Sequence, residues 1–291
     1  VSDEHEETLD RLRQRLGTVA SDASPQVAAL ARWAMDHPQE LAFHSVRGLA
    51  NRATVNANTV VRLAQALGFK GFEQCRAVFQ AALRDSVPSY GRRAANLRTN
   101  GADNLTTRIR DSAVANTQAL YSDDMIARMD RAVTLLLAAR AIHCIGVRSC
   151  FPVAQYLTYT GRMAFETFVP PQADPGGVLD SIVDCGPQDV VILVTYSHYS
   201  SEVLRAHAVA LRTRARLIAL TDSHAAPVAK GAEITFCLPM DGPQPLPSLG
   251  MYFLLAETLV AEMTARSDGA SDRIAQRESR RLAGGAYRGA E

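Results

Sequence analysis

Residues 45–72 read SVRGLANRATVNANTVVRLAQALGFKGF, and the fold of the N-terminal part turns on this stretch. It divides into two short helices around a tight turn. Leu49 and Ala50 supply the apolar side of the first helix, Ala53 closes it, and Val55 lies in the turn. Val60, Val61, Ala64 and Leu67 recur at the spacing of a helix face turned toward a core. Asn56 is suited to cap the second helix, because its side-chain oxygen can accept from a free backbone N–H. Gly68 stands where a left-handed glycine ends a helix. The outward positions of the second helix's opening turns read as Asn56, Asn58, Thr59 and Arg62. Such side chains reach base edges or phosphates when a helix enters a major groove. A helical hairpin with no nucleic-acid partner has the same apolar spacing, so the surrounding charge matters.

The whole chain of 291 residues carries a net charge of only +1, but the charge is unevenly spread. Between Leu41 and Asn100 there are nine Arg/Lys against two acids, Glu73 and Asp85. Excess positive charge beside a helix-turn-helix is what phosphate contacts require, although a solvated basic face has the same composition. The length exceeds what a helix-turn-helix needs and suggests about two domains. Five cysteines (Cys75, Cys144, Cys150, Cys185, Cys237) lack paired metal-ligand spacing and suit buried thiols in a reducing cytosol, so no metal or cofactor is expected. The polar N-terminus and the lack of a long apolar run predict a cytoplasmic protein with no membrane partner.

Ser24-Pro25 opens a helix carrying Val27, Leu30, Ala31 and Ala34, with Trp33 as an anchor, and His37-Pro38 stops it. A further helix over residues 72–84 gathers Cys75, Val78, Phe79 and Ala82. An all-α domain of about five helices is therefore expected over residues 1–85. Residues 86–103 lose periodicity and read as a linker. A long helix is expected over 105–139, and then the period changes. AIHCIGV, AFETFV, DVVILVT, ARLIALT and EITFCL are five short apolar strands, mostly separated by helical segments. They predict a three-layer α/β domain over 104–266 with a five-stranded, mainly parallel sheet. A last helix is expected over 249–266, and the polar, Gly-containing residues 267–291 read as a flexible tail.

Ligands of open parallel sheets sit at the carboxyl ends of strands, where helix N-termini offer free N–H groups. Two such ends carry hydroxyl-bearing loops: Gly146-Val147-Arg148-Ser149, and Thr195-Tyr196-Ser197-His198-Tyr199-Ser200-Ser201-Glu202. Together they make a cradle for a phosphate or sugar, while serines at helix starts also serve simply as caps. Neither loop has a dinucleotide fingerprint, because Arg148 and Phe151 stand where its second and third glycines would fall.

The two halves together resemble the RpiR/MurR family of bacterial transcriptional regulators, in which an N-terminal helix-turn-helix precedes a SIS (sugar isomerase) domain. The stretches that carry the resemblance are HPQELAFHSVRGLANRATVNANTVVRLAQALGFKGFEQCR, IHCIGVRS, DVVILVTYSHYSSEV and RLIALTDSHAAPVAKGAE. The resemblance implies DNA contacts at Asn56, Asn58, Thr59 and Arg62, with Ser45 and Arg47 near phosphates. It implies an effector pocket at Ser149, Thr195, Ser197, Ser200 and Glu202, for a phosphorylated sugar or related metabolite. The chain departs from the pattern at His198, where many SIS loops have glycine, and at Arg148, which replaces a small residue. Arg148 can pair with an anionic ligand, while Tyr196 and Tyr199 can stack on or wall off a less polar one; an anionic carbohydrate derivative is the expected effector. His198 brings a Cβ and an imidazole where backbone would approach a phosphate.

The resulting expectation is a repressor that binds pseudo-palindromic operator DNA as a homodimer or homotetramer. The competing class is a sugar-phosphate isomerase or another SIS-fold enzyme, for which Glu202 and His198 are the available acid–base pair.

Overall fold

The structure is a computed structural model that describes residues 9–86, 90–99, 103–170 and 177–286. The chain divides after Arg92 into two compact units. Residues 1–8, 87–89, 100–102 and 287–291, which belong to the expected first domain, linker and tail, lie outside the described residues.

The first unit contains α1 (Leu9–Asp22), α2 (Pro25–Asp36), α3 (Pro38–Phe43), α4 (Val46–Arg52), α5 (Ala57–Ala66) and α6 (Phe72–Ser86). About five helices were expected. The additional short one is α3, because Pro38 does not merely stop α2. It also opens α3, at a first-turn position where its missing N–H costs nothing. One core joins the helices through Leu12, Leu16, Leu30, Leu49, Val60, Leu63, Leu67 and Phe79. Val61 is only half-buried and Leu63 is fully buried, so the face of α5 runs Val60-Leu63-Ala64-Leu67 rather than through Val61. Trp33 stacks on His37, with ring centroids 4.7 Å apart, at the edge of this core.

Helix α7 (Tyr90–Thr99) crosses the boundary between the units, within the segment read as a linker. It has no buried residue, which is why no apolar period announced it. The segment expected as one long helix is two, α8 (Leu105–Leu120) and α9 (Asp123–Leu137). They are broken at Tyr121-Ser122, where Ser122 takes the cap position and Asp123 and Asp124 favour the positive end of α9.

Next come β1 (Ile142–Gly146), a single 3-10 turn (Arg148–Cys150), α10 (Phe151–Ala164) and α11 (Gly177–Asp180). These are followed by β2 (Val190–Val194), α12 (Ser201–Thr213), β3 (Arg216–Thr221), a 3-10 turn (Pro227–Ala229) and β4 (Ile234–Cys237). The last helices are α13 (Gly250–Ala265) and α14 (Ala270–Ala283). The sheet is parallel in the order β1-β2-β3-β4, with four strands rather than five. The missing one is AFETFV. Helix α10 continues to Ala164, which leaves only Phe168 to form an isolated parallel bridge to Ile142. Because Phe168 lies on the opposite side of β1 from β2, the chain reverses its direction of travel across the sheet at β1. That reversal opens the crevice in which open α/β sheets bind ligands.

Alternate strand residues divide the core between the two faces of the sheet. Ile142, Cys144, Val190, Ile192, Val194, Ile218 and Leu220 pack with α9, α10 and α13. Ile145, Val191, Leu193, Leu217 and Ala219 pack with α11 and α12. The expected tail holds α14. Ala270 is fully buried, Ile274 packs on the core, and Arg281 donates to the Tyr159 hydroxyl at 2.8 Å. Its polar composition concealed a narrow apolar stripe. No helix among the described residues is long and apolar enough to cross a membrane.

Candidate functional site

In the first unit, Ser45 caps α4 by accepting from the Gly48 N–H at 3.2 Å, and Asn56 caps α5 by accepting from the Thr59 N–H at 2.8 Å. The Asn56 oxygen also accepts from the Thr59 hydroxyl at 3.0 Å. Thr59 is therefore not an outward position. It is only 3% exposed, and its hydroxyl serves the cap rather than a groove-facing surface. Arg47, Asn58 and Arg62 are exposed, and Gln65, which the sequence reading passed over, is exposed one turn beyond Arg62. Arg52 is held elsewhere, 3.2 Å from Glu40.

The turn between α4 and α5 and the end of α5 use one device. Phe69 N–H donates to Ala64 O (3.0 Å) around Gly68 at φ +82°, a Schellman closure. Val55 N–H donates to Ala50 O (2.9 Å) in the same way, but the left-handed residue there is Thr54, at φ +54°. A β-branched residue in that region is strained.

In the second unit, the two hydroxyl loops leave the carboxyl ends of the adjacent strands β1 and β2. Gly146 is required because a Cβ there would stand 2.5 Å from the Cys150 carbonyl oxygen, so the loop folds tightly back on the following turn. Arg148 has φ +52° and His198 φ +74°, so each loop contains a non-glycine residue in the left-handed region. His198 thus occupies a backbone position that favours glycine. Ser149 Oγ and the Tyr196 hydroxyl are 2.9 Å apart. Thr195 is buried beneath the loop, Ser197 and Ser200 are half-buried, and His198 is exposed. Ser200 begins α12 without a side-chain cap bond.

Asp222, just beyond β3, is the residue that sequence reasoning missed. Its carboxylate accepts from the Ser197 N–H at 3.0 Å, from the Ser197 hydroxyl, from the Tyr199 hydroxyl at 3.2 Å and from the Thr221 hydroxyl at 3.2 Å. Burial, and then the Asp222 charge, push the Tyr199 phenol up. The available signal was the Thr-Asp step at the third strand's carboxyl end. Arg148 and Glu202 meet across the loops in a two-pronged ion pair of 2.9 and 3.0 Å. Hydrogen bonding from Arg148 is the main cause that lowers the Glu202 carboxyl to about 2.

The cysteines are unpaired. Burial raises Cys75, Cys144, Cys150 and Cys237 to about 12 and Cys185 to about 11, which makes them inert packing residues. Among the described residues no group of three His, Cys, Asp or Glu could hold a metal ion. A small cleft beside β1, lined by His143, Gly146, Phe151, Pro170, Val178 and Ser181, shares only Gly146 with the hydroxyl loops.

A helix-turn-helix unit joined to a parallel α/β unit with loops of this kind defines a two-part class. The chain matches the helix-turn-helix domain of the rpiR family over residues 11–86 and the SIS domain over residues 135–264. It belongs to the RpiR family, and in this chain the helix-turn-helix domain precedes the SIS domain.

The chain is similar to the uncharacterized HTH-type transcriptional regulator YfhH of Escherichia coli, with 27% identity over 223 residues, covering 73% of this chain and 74% of that one. It is also 25% identical over 224 residues to the bifunctional protein glk of Paraburkholderia xenovorans. That match covers 76% of this chain but 34% of the relative, so the chain spans about a third of that protein's length. Two solved structures share its fold. NanR of Vibrio vulnificus, complexed with ManNAc-6P, has 20% identity and a TM-score of 0.52, covering 95% of this chain and 100% of that one. The sugar isomerase domain of an RpiR transcription factor from Sphaerobacter thermophilus has 20% identity and a TM-score of 0.55, covering 61% and 99%.

Proposed function

We propose that the protein is a cytoplasmic DNA-binding transcriptional regulator, a repressor, whose SIS unit senses an anionic carbohydrate derivative. The observation that carries this reading is the union, in one chain, of an rpiR-type helix-turn-helix with a SIS domain. The proposed DNA-facing set is Ser45, Arg47, Asn56, Asn58 and Arg62, with Thr59 assigned to capping instead. The proposed effector loops are those of Arg148, Ser149, Ser197, His198, Ser200 and Glu202, over buried Thr195. The binding of ManNAc-6P by NanR supports a phosphorylated sugar as the effector class to test first.

Catalysis is the less favoured reading for a physical reason. A carboxyl held at about 2 by Arg148 is a poor general base near neutral pH, and Glu202 was the attractive candidate. Ligand and operator would be coupled by their different affinities for two arrangements of a dimer or tetramer on a pseudo-palindrome. Helices α7 and α8 are the proposed route. Arg93 of α7 donates to the carbonyls of Gln244 (2.9 Å) and Gly242 (2.8 Å), and Asn116 of α8 donates to that of Asp241 (2.8 Å). All three carbonyls belong to the loop that follows β4, at the carboxyl side of the sheet.

The test is a salt-dependent binding titration on fragments from the protein's own promoter region. Selective binding that weakens about fivefold or more in Arg62→Ala is expected, since a specific arginine–base contact is worth about 1–3 kcal/mol. Weak, non-selective binding by the wild type would reject the regulator reading, and unchanged affinity in the variant would reject the assignment of Arg62.

A further inference from the structure

The hydroxyl loops are already occupied by charges of the protein itself. On the inner side, the donors of Ser197, Tyr199 and Thr221 all converge on the Asp222 carboxylate. On the outer side, Arg148 grips Glu202 with both prongs of its guanidinium, and Ser201 Oγ adds a bond to the same carboxylate at 3.2 Å. Arg148 is the single Lys/Arg in the three segments concerned, 146–149, 195–202 and 221–224. It stands against two carboxylates there, so an arriving anion meets a site whose own charge opposes it.

The pair is asymmetric. The Glu202 side chain is 18% exposed and that of Arg148 is 64% exposed, so the acid is the more sheltered partner and the arginine is open to solvent. The backbone of Arg148, at φ +52°, is held in a conformation that a long side chain adopts only at a cost, and in that conformation its side chain spans the two loops. A guanidinium fork presents the same two parallel donors to a carboxylate or to two phosphate oxygens. An exposed ion pair of this kind is worth little to stability, which suits a contact made to be exchanged.

Resting on the effector-binding reading of the SIS unit, we propose that Arg148 is the residue that selects the effector, and that Glu202 is its built-in competitor. The effector carries an oxyanion, a phosphate or carboxylate, that replaces Glu202 on the Arg148 fork. Its affinity is set by the difference between two fork-to-oxyanion pairings rather than by one. No covalent step is involved. The released Glu202 carboxylate turns to solvent or to a hydroxyl of the ligand.

The test is calorimetric titration of the full chain with three probes: inorganic phosphate, ManNAc-6P and unphosphorylated N-acetylmannosamine. It is run on the wild type, Glu202→Gln, Arg148→Gln, Arg148→Lys and the Arg148→Gln/Glu202→Gln double variant, with thermal unfolding as the folding control. The proposal expects Glu202→Gln to bind the phosphorylated probes at least tenfold more tightly than wild type. Arg148→Gln should bind them at least tenfold more weakly. Arg148→Lys, which keeps the charge but loses the fork, should lie between, and the double variant should match Arg148→Gln. Weakening by Glu202→Gln would overturn the proposal, because the pair would then be a brace that the site needs. Equal binding of phosphorylated and unphosphorylated sugar by every variant would also overturn it, while leaving the effector site standing. Absence of binding by all probes to the wild type and to Glu202→Gln would overturn the proposal together with the reading on which it rests.

Discussion

Asp222→Asn is the perturbation that most directly examines how the second hydroxyl loop is held. The native carboxylate collects four donors, one of them the Ser197 backbone N–H. Asparagine has the same shape but a single accepting oxygen. Turned toward Ser197, that oxygen still serves the N–H and the hydroxyl, and the new amide N–H groups then face the Tyr199 and Thr221 hydroxyls. Both hydroxyls can rotate to accept, although their own O–H groups then lose the carboxylate as acceptor. The part of the loss that can be sized is the charge assistance at Ser197. A hydrogen bond to an ion contributes about 1.5–3 kcal/mol against about 1 kcal/mol for a neutral one, so losing that difference at the two Ser197 bonds costs about 2 kcal/mol.

In a unit of about two hundred residues each kcal/mol moves Tm by about 2–4 °C, so a fall of about 4–8 °C is expected. The chain has one tryptophan, Trp33, in the first unit, and this makes the assay selective. Scanning calorimetry should show the second unit's transition moving down, while the transition followed by Trp33 fluorescence stays in place. A shift under 1 °C in the calorimetric transition would show that the loop does not depend on the Asp222 charge. An equal shift in the Trp33 signal would refute the confinement of the effect to the second unit.

Thr54→Gly should stabilise the first unit by about 0.5–1 kcal/mol, because it relieves a left-handed β-branched residue and leaves the 2.9 Å Val55–Ala50 bond intact. Chemical denaturation read by Trp33 checks this, and a lowered midpoint would contradict it. The folded-state Glu202 carboxyl lies at about 2 against an ordinary value of 4.5. The stability it contributes, small because solvent screens this exposed pair, is therefore complete above pH about 4.5 and lost as pH falls toward about 2. The acid limb of Glu202→Gln, compared with wild type, should lack that component, and superimposable limbs would exclude it. Arg93→Ala removes both bonds to the loop after β4, so it should leave operator affinity without effector unchanged while reducing the effector's influence on it several-fold. An undiminished effector response in a gel-shift titration would eliminate α7 as the route.

The readable parts of this chain were those in which local chemistry and burial coincide. Asn56 and Gly68 bracket α5 as capping and left-handed closure require, and the apolar strands AIHCIGV, DVVILVT, ARLIALT and EITFCL announce a buried parallel sheet because both of its faces are covered. Where the two diverge, the sequence misleads. AFETFV looks like a strand, yet α10 uses its first residue, and Phe165 and Phe168 both turn inward instead of alternating. Helix α7 lacked an apolar period because it has no buried residue, and α14 was concealed because its apolar stripe is narrow and the rest of the helix is polar.

The same division holds at the sites. Residue types and spacing alone marked Asn58, Arg62 and the two hydroxyl loops as the places to look. Only tertiary structure decided that Thr59 turns inward to its cap, that Asp222 gathers the second loop, and that Arg148 is spent on Glu202. The last two are contacts between residues tens of positions apart in the chain. Sequence periodicity specifies which face of an element is buried, but which charges meet is set by where parallel strands bring their carboxyl ends together.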